Sequence, residues 1–259
     1  MTSINLKEAR YLGRNFKVEI LLNNLVDRDV QIMLMPLNWM QLVGFCPKYS
    51  IKDNFITPNS RSSNLVSLVG TLFILLILSQ RFSTVFNPNS PMYFVVCNCI
   101  DSFVYISGFC LNLFVSVQYS ELNIKFVLTI QDVHRFLNDE NKFRLITFWN
   151  WFIVIFFTST FVVYFIYFQI QLQMDSFNIG SCVLIIFDFN IIYSISIIKF
   201  LESKLVLWNI EVLKSQNLKS SDAEFYNHHL FQVLHKICEC YEMYKVAFGF
   251  LVSIYTIYL

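Results

Sequence analysis

The sequence predicts an all-α fold, a polytopic bundle of membrane helices with a cytoplasmic N-terminus and helices that extend into the cytoplasm. Composition is the first observation: 56% of the 259 residues are apolar and only 14% are charged. Soluble domains average about 45–50% apolar and about 25% charged residues. The second observation is a series of long uncharged runs, and the third is the uneven distribution of Lys and Arg between them. Together they indicate that a bilayer is the solvent of this chain.

Uncharged or nearly uncharged runs mark the predicted spans, since a helix needs about 20 mostly apolar residues to cross a bilayer. The predicted spans are residues 63–80, 92–117, 145–169, 178–198 and 246–259. The last run holds only 14 residues, so we expect it to be an incomplete span. Residues 63–259 therefore form the predicted transmembrane domain.

The positions of Lys and Arg predict the orientation, because these residues concentrate in cytoplasmic loops. All but one of the 19 lie in residues 1–62, in the loop between spans two and three, or in the loop between spans four and five. The exception is Arg81, in a loop on the opposite side. We therefore expect a multi-pass protein of the plasma membrane with its N-terminus in the cytoplasm.

Residues 30–46 are also uncharged, but this run is short and is interrupted by Pro36 and Asn38. A span here would move residues 1–29 to the other side of the membrane and break the charge asymmetry. We therefore predict a helix lying on the inner membrane surface, within a cytoplasmic N-terminal segment that covers residues 1–62. A sixth spanning helix is the alternative.

The two long cytoplasmic loops carry apolar residues at helical spacing, which predicts that helices continue beyond the membrane. We expect these stripes to be buried against each other, against the extension of the second span, or against another subunit. The first stripe is Phe126, Ile130, Val133 and Leu137; the second is Leu201, Leu205, Trp208 and Val212; the third is Leu230, Val233, Leu234, Ile237 and Tyr241.

Acidic residues inside apolar spans are the first candidates for a functional site, because a carboxylate in hydrocarbon is costly. Asp101 lies in the second predicted span and Asp188 in the fourth, at similar predicted depth. Four further polar residues lie near them along the chain: Asn98, Ser102, Asn112 and Asn190. We interpret the six as candidate ligand-binding residues of an outward-facing pocket. The alternative is that each carboxyl group is protonated or bonded to a neighbouring helix and serves packing.

Neither a catalytic motif nor a complete metal-ligand set is apparent. The spacing of His235 and Cys238 would let them share a metal, but no second cluster completes the coordination, so no metal and no cofactor is expected. Glycine-rich phosphate loops, HExxH and GxSxG are missing, so we do not expect an enzyme. A net charge of +1 gives no basis for nucleic-acid binding. The expected partners are the bilayer and a small molecule.

Three stretches and the predicted topology together resemble the insect gustatory receptors, relatives of the odorant receptors. The stretches are "PLNWMQLVGFCP" before the first span, "KFLESKLVLWNIEVLKS" after the fourth, and "LHKICECYEMYKVAFGF" at the entry to the fifth. Lys245 departs from the pattern, since the family commonly has Asn at that position. The resemblance implies a chemosensory receptor that detects a tastant as a ligand-gated cation channel.

The resemblance further implies seven spans and a homo- or hetero-tetramer whose cytoplasmic helices pack together. It places a ligand pocket at about the depth of Asp101 and Asp188, although neither matches a family motif. The family signature T-Y-x5-Q-F belongs to the seventh span, so the resemblance implies an incomplete receptor chain. The alternatives are an odorant receptor, or an unrelated five-span transporter or structural membrane protein. A G-protein-coupled receptor is disfavoured because it places its N-terminus outside the cell.

Overall fold

The computed structural model describes residues 24–85, 91–171, 176–215 and 220–258, and side chains throughout these ranges except at 81–85, 168–171, 176–187, 220–224 and 250–258. This part of the chain forms seven α-helices and one β-hairpin, which agrees with the predicted all-α class. The elements in order are α1 (Arg28–Val43), β1 (Ser50–Lys52), β2 (Phe55–Thr57), α2 (Arg61–Val85), α3 (Met92–Gln118), α4 (Ser120–Phe136), α5 (Glu140–Gln171), α6 (Ser176–Ser215) and α7 (Ser220–Tyr258).

Three helices are long and apolar enough to cross a membrane within the described residues: Arg61–Gln80, Met92–Gln118 and Glu140–Tyr167. They coincide with the first three predicted spans. The fourth and fifth predicted spans fall on α6 and α7, whose backbones are helical there. Many of their side chains lie outside the described set, so these two spans and the orientation of the bundle stay predictions.

Helix α1 covers most of the segment for which an interfacial helix was predicted, and it packs into the bundle. One face, which includes Met33 and Met40, is buried. The side-chain amide of Asn150 on α5 donates a hydrogen bond to the Met33 carbonyl at 3.2 Å, and Met40 packs against Val154. An apolar stripe on the opposite face stays exposed: Ile32, Met35, Trp39 and Leu42. The helix thus lies along α5 and leaves an apolar face uncovered.

The β-hairpin connects α1 to α2. Its two strands pair antiparallel, with Ile51 opposite Ile56, and Ile56 is completely buried. Asp53 and Asn54 at the turn have φ angles of 51° and 67°, the left-handed conformation that tight hairpin turns require and that Asp and Asn tolerate. The Val26 backbone N–H donates to the Asn54 carbonyl at 2.8 Å, which ties the hairpin to the chain before α1.

A second packed region is formed by α4, the C-terminal half of α6 and the N-terminal half of α7. Its centre is a cluster that includes Val133, Val233 and Ile237, with Trp208 packed against it. The Trp208 indole N–H donates to the Leu230 carbonyl at 2.8 Å. The predicted stripes therefore bury one another within a single chain.

Two members of those stripes differ from the prediction. Leu205 is 40% exposed and Tyr241 is 46% exposed, whereas Lys204 is 98% buried in place of its apolar neighbour. Helix α6 is continuous through both packed regions: its 40 residues extend over about 60 Å.

Candidate functional site

Helix α3 exposes apolar side chains and buries polar ones, which is the reverse of a helix in a soluble protein. Large apolar residues face outward, with Ile100 57% exposed and Phe103 72% exposed. Its buried residues are mostly polar or small: Asn98, Asp101, Ser102, Gly108, Asn112 and Ser116, together with Phe109 and Val115. Soluble proteins bury apolar residues and leave polar ones to water. The reverse arrangement is typical of a helix that meets lipid, because hydrocarbon cannot hydrogen-bond to polar groups.

Helices α2 and α5 show the same arrangement. Ser67 and Thr71 on α2 are 1% and 2% exposed, and Asn150 on α5 is 4% exposed. Their outward positions carry large apolar residues: Leu65, Val66, Val69 and Phe73 on α2, and Phe152, Ile155 and Phe156 on α5. Polar groups of all three apolar helices thus point into the protein, those of α2 and α3 toward each other's side of the bundle and Asn150 of α5 toward α1.

Five of the six predicted site residues are buried in this interior: Asn98, Asp101, Ser102, Asn112 and Asn190. The sixth, Asp188, is half-buried. On α3 the residues Asn98, Asp101 and Ser102 are spaced by three and four positions, which brings them to one face of the helix. Their predicted role as ligand-binding residues of an outward-facing pocket stays a prediction.

The two acidic residues each lie in the N-terminal direction from a neighbour of the same apolar cluster. Tyr105 of α3 and Ile191 of α6 pack against one apolar cluster centred on Phe109. Asp101 precedes Tyr105 by four residues and Asp188 precedes Ile191 by three, so each lies about one helical turn from that cluster. Both turns run toward the N-terminal ends of their helices. A shared depth of the two carboxyl groups and a shared pocket stay predictions.

The buried side-chain amides differ in whether they have a hydrogen-bond partner. The Asn98 amide donates to the Phe94 carbonyl of its own helix at 2.8 Å. Neither side-chain polar atom of Asn112 has a hydrogen-bond partner in the described part of the chain, and the same holds for the Asn190 Oδ1 atom. A buried polar atom left unpaired costs about 1–3 kcal/mol. Such groups are suited to bind a hydroxyl or amine group of a ligand, or water.

Residues 45–49 form a wedge that lies between α2, α3 and α6. The Ser116 hydroxyl on α3 donates to the Pro47 carbonyl at 2.6 Å. The hydroxyl oxygens of Tyr49 and Tyr193 lie 3.5 Å apart, which connects the wedge to α6. Phe45 packs directly on Gly70 of α2. The wedge thus contacts three helices that carry the polar interior.

Lys48 in this wedge is a residue that the sequence did not indicate. It is 2% exposed, and its ammonium group has no hydrogen-bond partner in the described residues. The group lies 3.7 Å from the ring centroid of Phe248 and 5.8 Å from that of Tyr193, within cation–π range. Burial lowers the pKa of Lys48 to about 7. A single lysine in a segment predicted to be cytoplasmic gave no sign of this burial.

His235 and Cys238, whose spacing would let them share a metal, lie on α7. His228, His235 and Cys238 are exposed there, and Cys240 is buried. Within the described ranges no three His, Cys, Asp or Glu side chains come together in a way that could hold a metal ion.

The polar interior between α2, α3 and α6 is therefore the candidate site, and its donor set of carboxylates and amides suits a polar organic ligand. The resemblance to insect gustatory receptors rests on the quoted sequence stretches and the predicted topology. Comparisons with models of protein families, with curated proteins and with solved structures found no match to this chain.

Proposed function

We propose that this chain is a chemoreceptor subunit of the gustatory type, which binds a small-molecule tastant between its membrane helices and gates a cation path. The observation that carries the proposal is the polar interior of α3, a helix whose outer surface is apolar. A membrane helix that serves only as an anchor has no need for buried carboxyl and amide groups, which are costly in hydrocarbon.

The chemistry of the interior favours a ligand with hydroxyl or amine groups. Asp101 and Asp188 supply carboxyl groups, and Asn112 and Asn190 supply amides with polar atoms that lack a partner within the described residues. A ligand hydroxyl group can form a hydrogen bond with any one of these four side chains. A ligand cation would be attracted by either carboxylate. A purely apolar ligand would leave these amide atoms of Asn112 and Asn190 without a partner among the described residues, and we expect it to bind weakly.

The second part of the proposal is that ligand binding is transmitted to the cytoplasmic side. Helix α6 carries Asp188 and continues without a break to Trp208, which packs in the second region. A shift at the candidate site would therefore move the packing between α6 and α7. In the proposed homo- or hetero-tetramer, this motion would open the path for cations, which makes the protein a transducer in the perception of taste.

The experiment begins with the placement of the chain in the membrane. The chain is expressed in cultured cells with an epitope tag at either end, and tag accessibility is measured before and after permeabilisation. We expect the N-terminal tag to be accessible only after permeabilisation. An N-terminal tag accessible on intact cells would contradict the proposed orientation.

Ligand binding is then measured with the purified chain in nanodiscs, as a shift in the thermal midpoint with a panel of sugars, alkaloids and amines. A compound that binds is tested on Asp101→Asn, Asp188→Asn and the control Glu202→Gln, whose side chain is exposed on α6. We expect the first two variants to lose the shift and the control to keep it.

Cells that express the chain, alone and with related receptors, are then tested for a cation current evoked by that compound. If no compound shifts the midpoint and none evokes a current, the proposal fails.

A further inference from the structure

A groove runs between α2 and α3 at the end where α2 begins and α3 ends. Its volume is about 560 Å³, within the range of about 300–1,000 Å³ that small-molecule sites occupy. The two helices that form it are two of the three that are long and apolar enough to cross a membrane. Arg61, the first residue of α2, and Gln118, the last residue of α3, lie at the same end of the groove.

The groove is polar at that end and apolar along its length. Arg61, Asn64 and Gln118 form the polar end, and the walls beyond it include Leu65, Leu68 and Phe114. From Arg61 to Leu68 the helix rises about 10 Å. One leaflet of a bilayer contributes about half of its ~30 Å hydrocarbon core. The groove therefore extends along most of one leaflet, with its polar end at the boundary between hydrocarbon and headgroups.

The polar end carries the positive charge of the Arg61 guanidinium group. Arg61 is exposed and forms no ion pair with any residue that the structure describes. It stands at the N-terminus of α2, where the helix dipole also favours an anion. The Ser60 hydroxyl accepts a hydrogen bond from the Ser63 backbone N–H at 3.2 Å, so that this helix end is capped and fixed in place. A guanidinium group in this position is well suited to hold a phosphate through two hydrogen bonds.

We propose that this groove binds an anionic phospholipid of the bilayer, with its phosphate on Arg61 and one acyl chain along Leu65, Leu68 and Phe114. Charge complementarity and the alternation from a polar end to apolar walls both match this ligand. The proposal depends only on the membrane insertion of α2 and α3. It is independent of the proposed tastant site, which faces the interior of the bundle, whereas this groove opens outward.

The proposal is tested with the purified full chain in nanodiscs of equal parts phosphatidylserine and phosphatidylcholine. The lipids retained after gentle release are counted by native mass spectrometry. Arg61→Gln removes the charge, and Cys110→Trp fills the apolar part of the groove from an exposed position on α3. Arg144→Gln is the matched control, because Arg144 also lies at the start of a long apolar helix but pairs with Glu140 at 3.3 Å.

We expect retained phosphatidylserine in the wild type, about a fivefold loss in Arg61→Gln and Cys110→Trp, and no loss in Arg144→Gln. The thermal midpoint of each variant in detergent shows whether it folds, and a variant that does not fold is replaced by Leu68→Trp. Equal retention in Arg61→Gln and the wild type would overturn the proposal. Equal retention of phosphatidylserine and phosphatidylcholine would also overturn it. So would a thermal midpoint in detergent that rises as much with inorganic phosphate as it does with phosphatidylserine.

Discussion

The ammonium group of Lys204 on α6 lies 2.9 Å from Nδ1 of His134 on α4, and it donates a hydrogen bond to the Leu137 carbonyl at 2.6 Å. The imidazole stacks on Phe143 with 4.0 Å between ring centroids. Burial, and next the charge of Lys204, lowers the pKa of His134 to about 4. Burial lowers the pKa of Lys204 to about 8. At pH 7 the neutral imidazole therefore accepts from the ammonium group, with its own proton on Nε2.

Acidification should weaken the contact between α4 and α6. The pKa of His134 is about 4 in the folded chain and about 6.5 in the unfolded chain, so the unfolded state binds more protons between these values. The free energy of unfolding is highest above pH 6.5 and falls as the pH decreases toward 4, by about 1–2 kcal/mol. The measurement is the thermal midpoint in detergent at pH 7 and pH 4.5. His134→Phe should reduce this pH dependence and His228→Gln should retain it; equal dependence in His134→Phe and the wild type would refute the assignment.

Removal of Lys204 should destabilise the same junction. Lys204→Met leaves the Leu137 carbonyl without its hydrogen-bond donor, and an unpaired buried acceptor costs about 1–3 kcal/mol. The loss of the positive charge should also move the pKa of His134 toward its ordinary value. Both effects are measurable, the first by thermal unfolding and the second by NMR titration of the imidazole. Lys199→Met on the same helix is exposed and should leave both unchanged; a shift of equal size there would argue against a specific contact.

No side chain can be added at Gly70 without displacing Phe45. A Cβ at position 70 would overlap Cγ and Cδ1 of Phe45 and lie 2.7 Å from its Cβ. We expect Gly70→Ala to cost about 1–3 kcal/mol through overpacking. The double variant Phe45→Ala/Gly70→Ala should show positive coupling in thermal unfolding. Gly249→Ala is the control, since its Cβ would meet only the Lys245 Cβ at 3.9 Å. Additive effects of the two substitutions would contradict the predicted overlap.

Arg135 holds Asp27 with two hydrogen bonds of 2.7 Å, from Nε to Oδ2 and from the terminal nitrogen to Oδ1. This pair ties the chain before α1 to α4 and lowers the pKa of Asp27. Because both side chains are partly exposed, we expect Arg135→Lys to cost only about 0.5–1 kcal/mol. The contribution is present above the ordinary pKa of Asp27, 3.8, and is lost as the pH falls below it.

The matched control for that pair is Arg28→Lys. Arg28 is exposed and forms no ion pair within the described ranges. Thermal unfolding at pH 7 should separate the two variants. An equal loss of stability in both variants would show that the two hydrogen bonds from Arg135 to Asp27 contribute nothing beyond what any exposed arginine contributes.

Replacement of Asn112 by leucine separates a packing role from a binding role. Leucine has a similar volume, and it removes two buried polar atoms that have no partner in the described residues. Stability should therefore stay the same or rise by about 1 kcal/mol. In the proposed receptor the same variant should lose the midpoint shift produced by a ligand. A strong loss of stability would instead show that Asn112 is needed for folding, and a retained ligand shift would remove it from the candidate site.

Much of this architecture follows from periodicity. The uncharged runs correspond to long helices, and the spacing of Asn98, Asp101 and Ser102 indicates a common face. Periodicity was insufficient on α6, because Leu201, Lys204 and Trp208 fit a helical stripe as well as Leu201, Leu205 and Trp208 do. A stripe built from apolar residues alone includes Leu205 and leaves out Lys204. The structure buries Lys204 instead because its ammonium group satisfies the end of α4.

The burial of Lys48 could not be predicted for a different reason. Its partners, Tyr193 and Phe248, lie more than 140 residues away in the chain, on helices α6 and α7. The local pattern around Pro47 and Lys48 indicates only a polar connection between two helices. The contact depends on how three helices assemble around residues 45–49, and the spacing of residues near Lys48 does not predict that assembly.

Helix α6 also has a mechanical consequence. Asp188 and Lys204 stand on one uninterrupted rod, 16 residues or about 24 Å apart along its axis. Each lies about 12 Å from the middle of the helix, so that a tilt of about 5° around that point displaces both by about 1 Å, in opposite directions. The rod therefore couples the two positions: a sideways movement at Asp188 is accompanied by an opposite movement of about the same size at the Lys204 contacts with α4.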